Sequence, residues 1–457
     1  MGISSVGVGS GILTQDVLDQ LREADEAGQI QPIDLSLADE NDKKDSLAII
    51  DASMTNFVDS INEIKSHSLY DERSTTVTGT SVEVEASSGT DIQDFNLTVT
   101  NLATKQIEES GSFAAEDSLI ASGAGSINLN VNGTDYTIDY DATTTLKDLK
   151  SLINTAAGDD VDATIVQISG GDFRLFVSAA NSGASQDITI TDNSASLLGT
   201  ELTTGLSAVQ TGIDANFTFN GQAITRESNE ISDLITGLTI TLKETGSSDV
   251  SVAQDREGIL EKMNSFVEKY NSAITELDKM TKSSTDAAEK GIFSGESTIK
   301  NMKRAIEDLV GSVGGGVGTM YDYGFDVDQD GVMTFDSTIF EDALDDNPDN
   351  VEAFLAGGTY TNDDLTTVEL DGAFTDFSTG IEAYTDYNAI LDQLDDAIDA
   401  NITSLEERKT NATERLDSKY EILKKQFIAY DLMISKINSA SSMFVQLANA
   451  QNAAQDS

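Results

Sequence analysis

The chain has 457 residues, with 80 Asp and Glu against 27 Lys and Arg, and its formal net charge is −53. There is no Cys, no Trp, one His and two Pro. That charge repels nucleic acid and anionic membrane surfaces. Zero Cys removes disulfides, zinc–thiolate sites, iron–sulfur ligation and thiol nucleophiles, and one His removes most His-based metal and triad chemistry. At roughly 150 residues per domain the length predicts about three domains. A hydrophobic share of 39% supports several modest cores rather than one large one. The balance leans away from an enzyme.

The opening residues, MGISSVGVGSGILTQDVLDQL, hold no basic residue before Arg22 and no long apolar core, so they predict no secretory signal. Val6 stands where a myristoylation pattern wants Ser or Thr. No stretch approaches the roughly 18 apolar residues of a membrane span, so no membrane insertion is expected. Leu47, Ile50, Met54, Phe57, Ile61 and Ile64 then recur at steps of three and four. That average near 3.5 holds one apolar seam toward a partner helix.

Between about residues 73 and 255 the composition turns to Gly, Ser, Thr, Asp and Val with alternating apolar positions. Ser81–Ala86, Phe95–Thr100 and Gly237–Lys243 read as strands. Asn132-Gly133 and Asn220-Gly221 each supply the positive φ angles of a type I′ turn, which predicts two hairpins. Each hairpin is followed by a polar run and a short apolar helix start, Leu146–Ile153 and Ile231–Ile235, making a degenerate internal repeat.

A second helix carries Leu260, Met263, Val267, Tyr270, Ile274 and Leu277, read as an intramolecular bundle core. The third runs through Leu391, Leu394, Ile398, Ile402 and Leu405, with a four–four step that locally unwinds a coil. It continues through Leu416, Tyr420, Leu423, Phe427, Tyr430, Ile434, Ile437, Ser441, Phe444 and Ala448. A seam that long outruns what a small domain covers, so core packing and partner contact both stay open.

Helices at both ends and strands between them predict an α+β multidomain fold, with terminal helices in a coiled-coil or bundle leg and antiparallel β-rich domains inserted. The expected parts are a leg from residues 1–45 and 416–457, and a helical bundle with a β-hairpin from 46–72 and 256–415. A β-rich head takes 73–108 and 208–255, and a second head, 109–207, is inserted in it. Chain ends that pair with each other point to a protein that assembles.

Little in the chain predicts chemistry. Asp326-Val-Asp328-Gln-Asp330-Gly331 matches the first half of a calcium loop, but its twelfth position falls on Ser337 and its flanks read as strands, which favours a hairpin. Acid pairs such as Asp395-Asp396 and Asp345-Asp346 read as solvated faces. His67 reads as a surface residue at a helix end. The sequons at Asn96, Asn132, Asn216, Asn401 and Asn411 are ordinary in a Thr-rich sequence. No phosphate loop or dinucleotide fingerprint is present. No catalytic residue, metal ligand or cofactor is expected.

The ordered series of segments resembles the bacterial flagellar filament cap family, also called hook-associated protein 2. The lead GISSVGVGSGILTQDVLDQLREADE, the blocks FNLTVTNLATKQ and DANFTFNGQAITRESNEISDLITGLTITLKETG (with Arg226, Ser228, Asn229 and Ile231), and GILEKMNSFVEKYNSAITEL all resemble it. GIFSGESTIKNMKR, YGFDVDQDGVMTFDSTIFEDALDDNPDNVEAFLAG and LDSKYEILKKQFIAYDLMISKINSASSMFVQLANAQ follow in the family's order. INLNVNGTDYTIDYDATTTLKDLKSLIN is similar to a hook-region motif of some flagellins. Residues 27–45 are more acidic than the pattern, although Pro32 fits its helix break.

The resemblance implies a structural protein, not an enzyme, exported by the flagellar type III route without a cleaved leader and located at the filament tip. It implies a homo-oligomeric ring, pentamer or hexamer, acting on flagellin, with hook–filament junction proteins and an export chaperone as further partners. Leu416, Tyr420, Leu423, Phe427, Tyr430, Ile434, Ile437 and Phe444, with Leu47, Ile50, Met54, Phe57 and Ile61, are the expected seam for flagellin or self contacts. The competing expectation is a secreted acidic oligomeric adhesin whose β domains bind glycans or host surfaces.

Overall fold

The computed structural model describes residues 14–455; the Gly- and Ser-rich lead lies outside them. Thr14 caps α1 (Gln15–Gln29), its hydroxyl accepting from the Val17 N–H at 3.4 Å. Ile30 interrupts the helix. α2 (Gln31–Ile64) restarts with Pro32 in the first turn, where a missing N–H leaves no helical bond unmade. The chain then leaves this helical unit, builds a second unit over His67–Ile259, and returns.

The second unit opens on the short α3 (His67–Asp71), then β1 (Arg73–Thr78), β2 (Val82–Ala86), β3 (Gln93–Asn101) and β4 (Lys105–Glu109). Next come β5 (Gly125–Val131), β6 (Thr134–Tyr140), α4 (Leu146–Ala157), β7 (Val161–Ser169), β8 (Asp172–Ser182) and β9 (Ile188–Asp192). It closes with β10 (Ser207–Gln210), β11 (Ala215–Phe219), β12 (Gln222–Arg226), β13 (Glu230–Ile231), β14 (Leu238–Leu242) and β15 (Gly246–Gln254). All pairings are antiparallel. Sheets β1-β15-β3-β11-β12 and β13-β14-β2 enclose one apolar core that includes Leu97, Phe217 and Ile240. Sheets β10-β4-β8-β7 and β6-β5-β9, with α4, enclose another around Leu129, Leu149 and Val177.

Both Asn-Gly turns form as expected. Asn132 (φ +48°) and Gly133 (φ +78°) join β5 to β6, and Asn220 (φ +47°) and Gly221 (φ +82°) join β11 to β12. α4 begins at Leu146 behind a reciprocal Thr145–Asp148 capping box. The second expected helix start does not form. Ile231 instead pairs with Ile240 across β13 and β14, and the Asn229 amide ties this edge to both main-chain groups of Ala103, at 2.7 and 2.9 Å. An available strand partner outweighs the helical preference of a five-residue run.

α5 (Arg256–Thr281) carries the chain back into the helical unit. There follow α6 (Ser297–Ser312), a hairpin of β16 (Phe325–Val327) and β17 (Met333–Phe335), α7 (Ser337–Asp346) and α8 (Pro348–Ala356). A second hairpin of β18 (Gly358–Thr361) and β19 (Thr367–Leu370), α9 (Ala373–Thr385) and the 66-residue α10 (Ile390–Gln455) complete it. The core is aromatic: Phe266 lies tilted 5.5 Å from Phe57 and edge-on 5.7 Å from Phe325 and 4.7 Å from Phe374, ring centre to ring centre. Phe266 is fully buried where Val267 was expected, so the inward stripe of α5 runs Met263, Phe266, Tyr270, Ala273, Ile274, Leu277 and Met280. Leu260 and Val267 sit at its half-buried margin.

The acidic segment Asp326–Gly331 is a hairpin turn. The Asp328 carboxylate accepts from the N–H groups of Asp330 and Val332, both at 2.9 Å, and Gly331 takes φ +83°. Among the described residues no group of three or more His, Cys, Asp or Glu is placed to hold a metal ion. No described helix is long and apolar enough to cross a membrane.

Candidate functional site

The two chain ends meet along α10. Arg22 pairs with Asp417 at 2.5 Å, Asp34 with Lys409 at 2.8 Å, and Lys44 with Asp399. Residue numbers fall on one side as they rise on the other, so α1 and α2 run antiparallel to α10. Leu18 is buried against Leu416 and Tyr420, with Ile30, Leu423 and Phe427 packed partly buried around them. Leu18 and Asp25 were absent from the expected seam. Their signal in the sequence is faint, because α1 is polar and buries one residue, Leu18.

Charge pins this contact. Asp25 accepts from Lys419 and from the Tyr420 hydroxyl, each at 2.6 Å. The lysine first, then the phenol, holds the Asp25 carboxyl below the usual carboxylate range. Burial, reinforced by the Asp25 carboxylate, pushes the Tyr420 hydroxyl up to about 12. Glu26 and then Asp417 raise the Arg22 guanidinium further.

The expected seam residues divide into three groups. Leu47, Ile50, Met54, Phe57 and Ile61 are fully buried within the helical unit. Leu416 and Tyr420 are buried at the α1–α10 contact, and Leu423, Phe427 and Ile434 are half-covered. Tyr430, Ile437 and Phe444 are 58%, 60% and 74% exposed. Their neighbours Met433, Met443, Val445 and Leu447 are exposed as well. A helix that buries one end of an apolar stripe and leaves the other in water is a surface for association.

Residues 10–106 match the family model for the N-terminus of flagellar hook-associated protein 2, and residues 212–439 match that for its C-terminus, together well over half of the chain. The chain belongs to the flagellar hook-associated protein 2 family. Among relatives, the flagellar hook-associated protein 2 of Aeromonas caviae is 25% identical over 98% of both chains. That of Campylobacter jejuni is 28% identical over 79% of this chain, which spans 65% of that protein's length. That of Helicobacter pylori strain J99 is 32% identical over 53% of this chain and 37% of its own. The D1–D2–D3 domains of the flagellar cap protein FliD from Escherichia coli superpose with a TM-score of 0.59 at 20% identity, covering 78% of this chain and 99% of theirs, which establishes a common fold. Hook-associated protein 2 is a structural component of the flagellum, not an enzyme.

Proposed function

We propose that this protein caps the distal tip of the flagellar filament as a homo-oligomeric ring of five or six copies, promoting folding and insertion of exported flagellin and preventing its loss. The observation that carries this reading is the apolar stripe of α10 beyond Phe427, where Tyr430, Ile437 and Phe444 stand exposed in continuation of the pinned α1–α10 contact. Residues 1–45 and 416–457 form the leg that meets flagellin helices and the hook–filament junction. The residues over 73–255 form the plate, as a head with a second head inserted. The protein reaches the tip through the flagellar export channel. Until then an export chaperone covers the stripe, because exposed Met, Phe and Leu invite aggregation.

The experiment is a truncation after Lys425, which keeps Leu18, Leu416 and Tyr420 together and removes the exposed stripe. In cells lacking their own copy, the truncated chain leaves flagellin in the medium and motility unrestored, while the purified chain keeps its β circular dichroism. Restored swimming by the truncated chain refutes the reading. Cells without any copy that still swim, and fail only to adhere, favour the glycan-binding adhesin.

A further inference from the structure

We propose that β7 of one copy pairs with β10 of the next, so that the sheet β10-β4-β8-β7 continues from molecule to molecule. This rests on the self-assembly reading above and names the contact. An open sheet edge recruits another strand, and proteins blunt such edges with charged side chains. In this unit the edge strands β1, β12 and β13 carry Arg73, Arg226 and Glu230, and β2 carries Glu83 and Glu85. β6 carries Asp135 and Asp139, and β9 carries Asp192. β10 carries no charge, and β7 carries only Asp162 near its start.

That start of β7 is closed by other means. The Asn154 side chain accepts from the Ala163 N–H at 2.7 Å and donates to its carbonyl at 3.0 Å, doing for one residue what a neighbouring strand would do. The main chain of Ala163 therefore faces away from β8. Strand geometry turns that of Ile165 and Gln167 the same way, where no side chain among the described residues closes it. Val166, Ile168 and, on β10, Val209 are 38%, 52% and 55% exposed. Register breaks between Gln167 and Ser169 and between Ala208 and Gln210 confine the pairing to a few residues.

A second copy is the occupant. Two chains at −53 repel wherever carboxylates meet, and these margins carry none beyond the closed stretch. They also lie at opposite ends of one sheet, so the contact is head-to-tail, as a ring requires. The four strands alternate in direction. A neighbour in the same orientation therefore brings β10 antiparallel to β7 and preserves the alternation.

The chain has no Cys, so engineered thiols report cleanly. One Cys at Gln167 and another moved along Ser207–Gln210 yield, on oxidation of the assembled protein, disulfide-linked ladders beyond the dimer, while single-Cys chains yield none. Gln167→Pro removes the outward N–H and abolishes the oligomer in sedimentation at concentrations where the parent chain assembles. A parent chain that assembles with no ladder at any pairing, and with Gln167→Pro assembling equally, overturns the edge pairing alone. A parent chain that is monomeric throughout overturns both this proposal and the self-assembly reading.

Discussion

Tyr270 lies in the aromatic core with its hydroxyl buried and no hydrogen-bond partner among the described residues. Burial pushes its ionisation up, as does the nearby Glu307 carboxylate. A buried unpaired hydroxyl costs about 1–3 kcal/mol. Tyr270→Phe keeps the ring and removes that cost, so the variant unfolds at higher urea than the parent; an equal or lower midpoint contradicts this. A few positions away, Phe266→Ala empties a site ringed by Phe57, Phe325 and Phe374 and costs about 3–5 kcal/mol. Val267→Ala at the margin costs about 1 kcal/mol or less in the same titration. The sequence hides this difference because both side chains are apolar and either one fits a three–four spacing. Only the rings that α5 meets, drawn from distant parts of the chain, decide which one turns inward.

Helices with long seams were legible from spacing, and both Asn-Gly hairpins from turn chemistry. Shorter elements were not. α6, α7, α8 and α9 went unassigned, although Asn347 followed by Pro348 is a cap and first-turn pair that marks the start of α8. Ile231–Ile235 misled because a short apolar run takes whichever partner reaches it first. In α10 the spacing disclosed a stripe but not what covers it, because a helix buried in its own domain and one awaiting a partner carry the same pattern. The α1–α10 contact has its own pH signature. Asp25 is depressed, so its contribution is present above the ordinary Asp value of about 3.9 and fades as pH falls through the lowered one. Tyr420 is raised, so its contribution holds below about 10 and fades as pH climbs toward 12. Hydrogen exchange of α1 amides, expressed as protection over the intrinsic rate, should therefore drop at both extremes. Asp25→Asn should flatten the acid limb, and unchanged protection down to pH ~3 contradicts the account.

For the whole molecule the charge is unevenly spread: no Lys or Arg occurs between Arg304 and Arg408. In the proposed oligomer the net charges of neighbouring copies repel one another, and salt shortens that repulsion from about 10 Å at 0.1 M to about 3 Å at 1 M. The oligomer fraction in sedimentation should rise across that interval; a fraction that stays level or falls contradicts it. The same chain is also divided in time. The β unit is one uninterrupted stretch, His67–Ile259, and every strand it needs arrives within that stretch. The helical unit is split around it, and Lys44 waits for Asp399, 355 positions away. Whichever end emerges first from a narrow channel, the head has all its parts before the bundle has both halves. If the chain is exported as proposed, the half of the helical unit that leads waits without its other half while the β unit already has every segment it needs, and that delay is the interval in which the leading half's apolar face is free to be claimed.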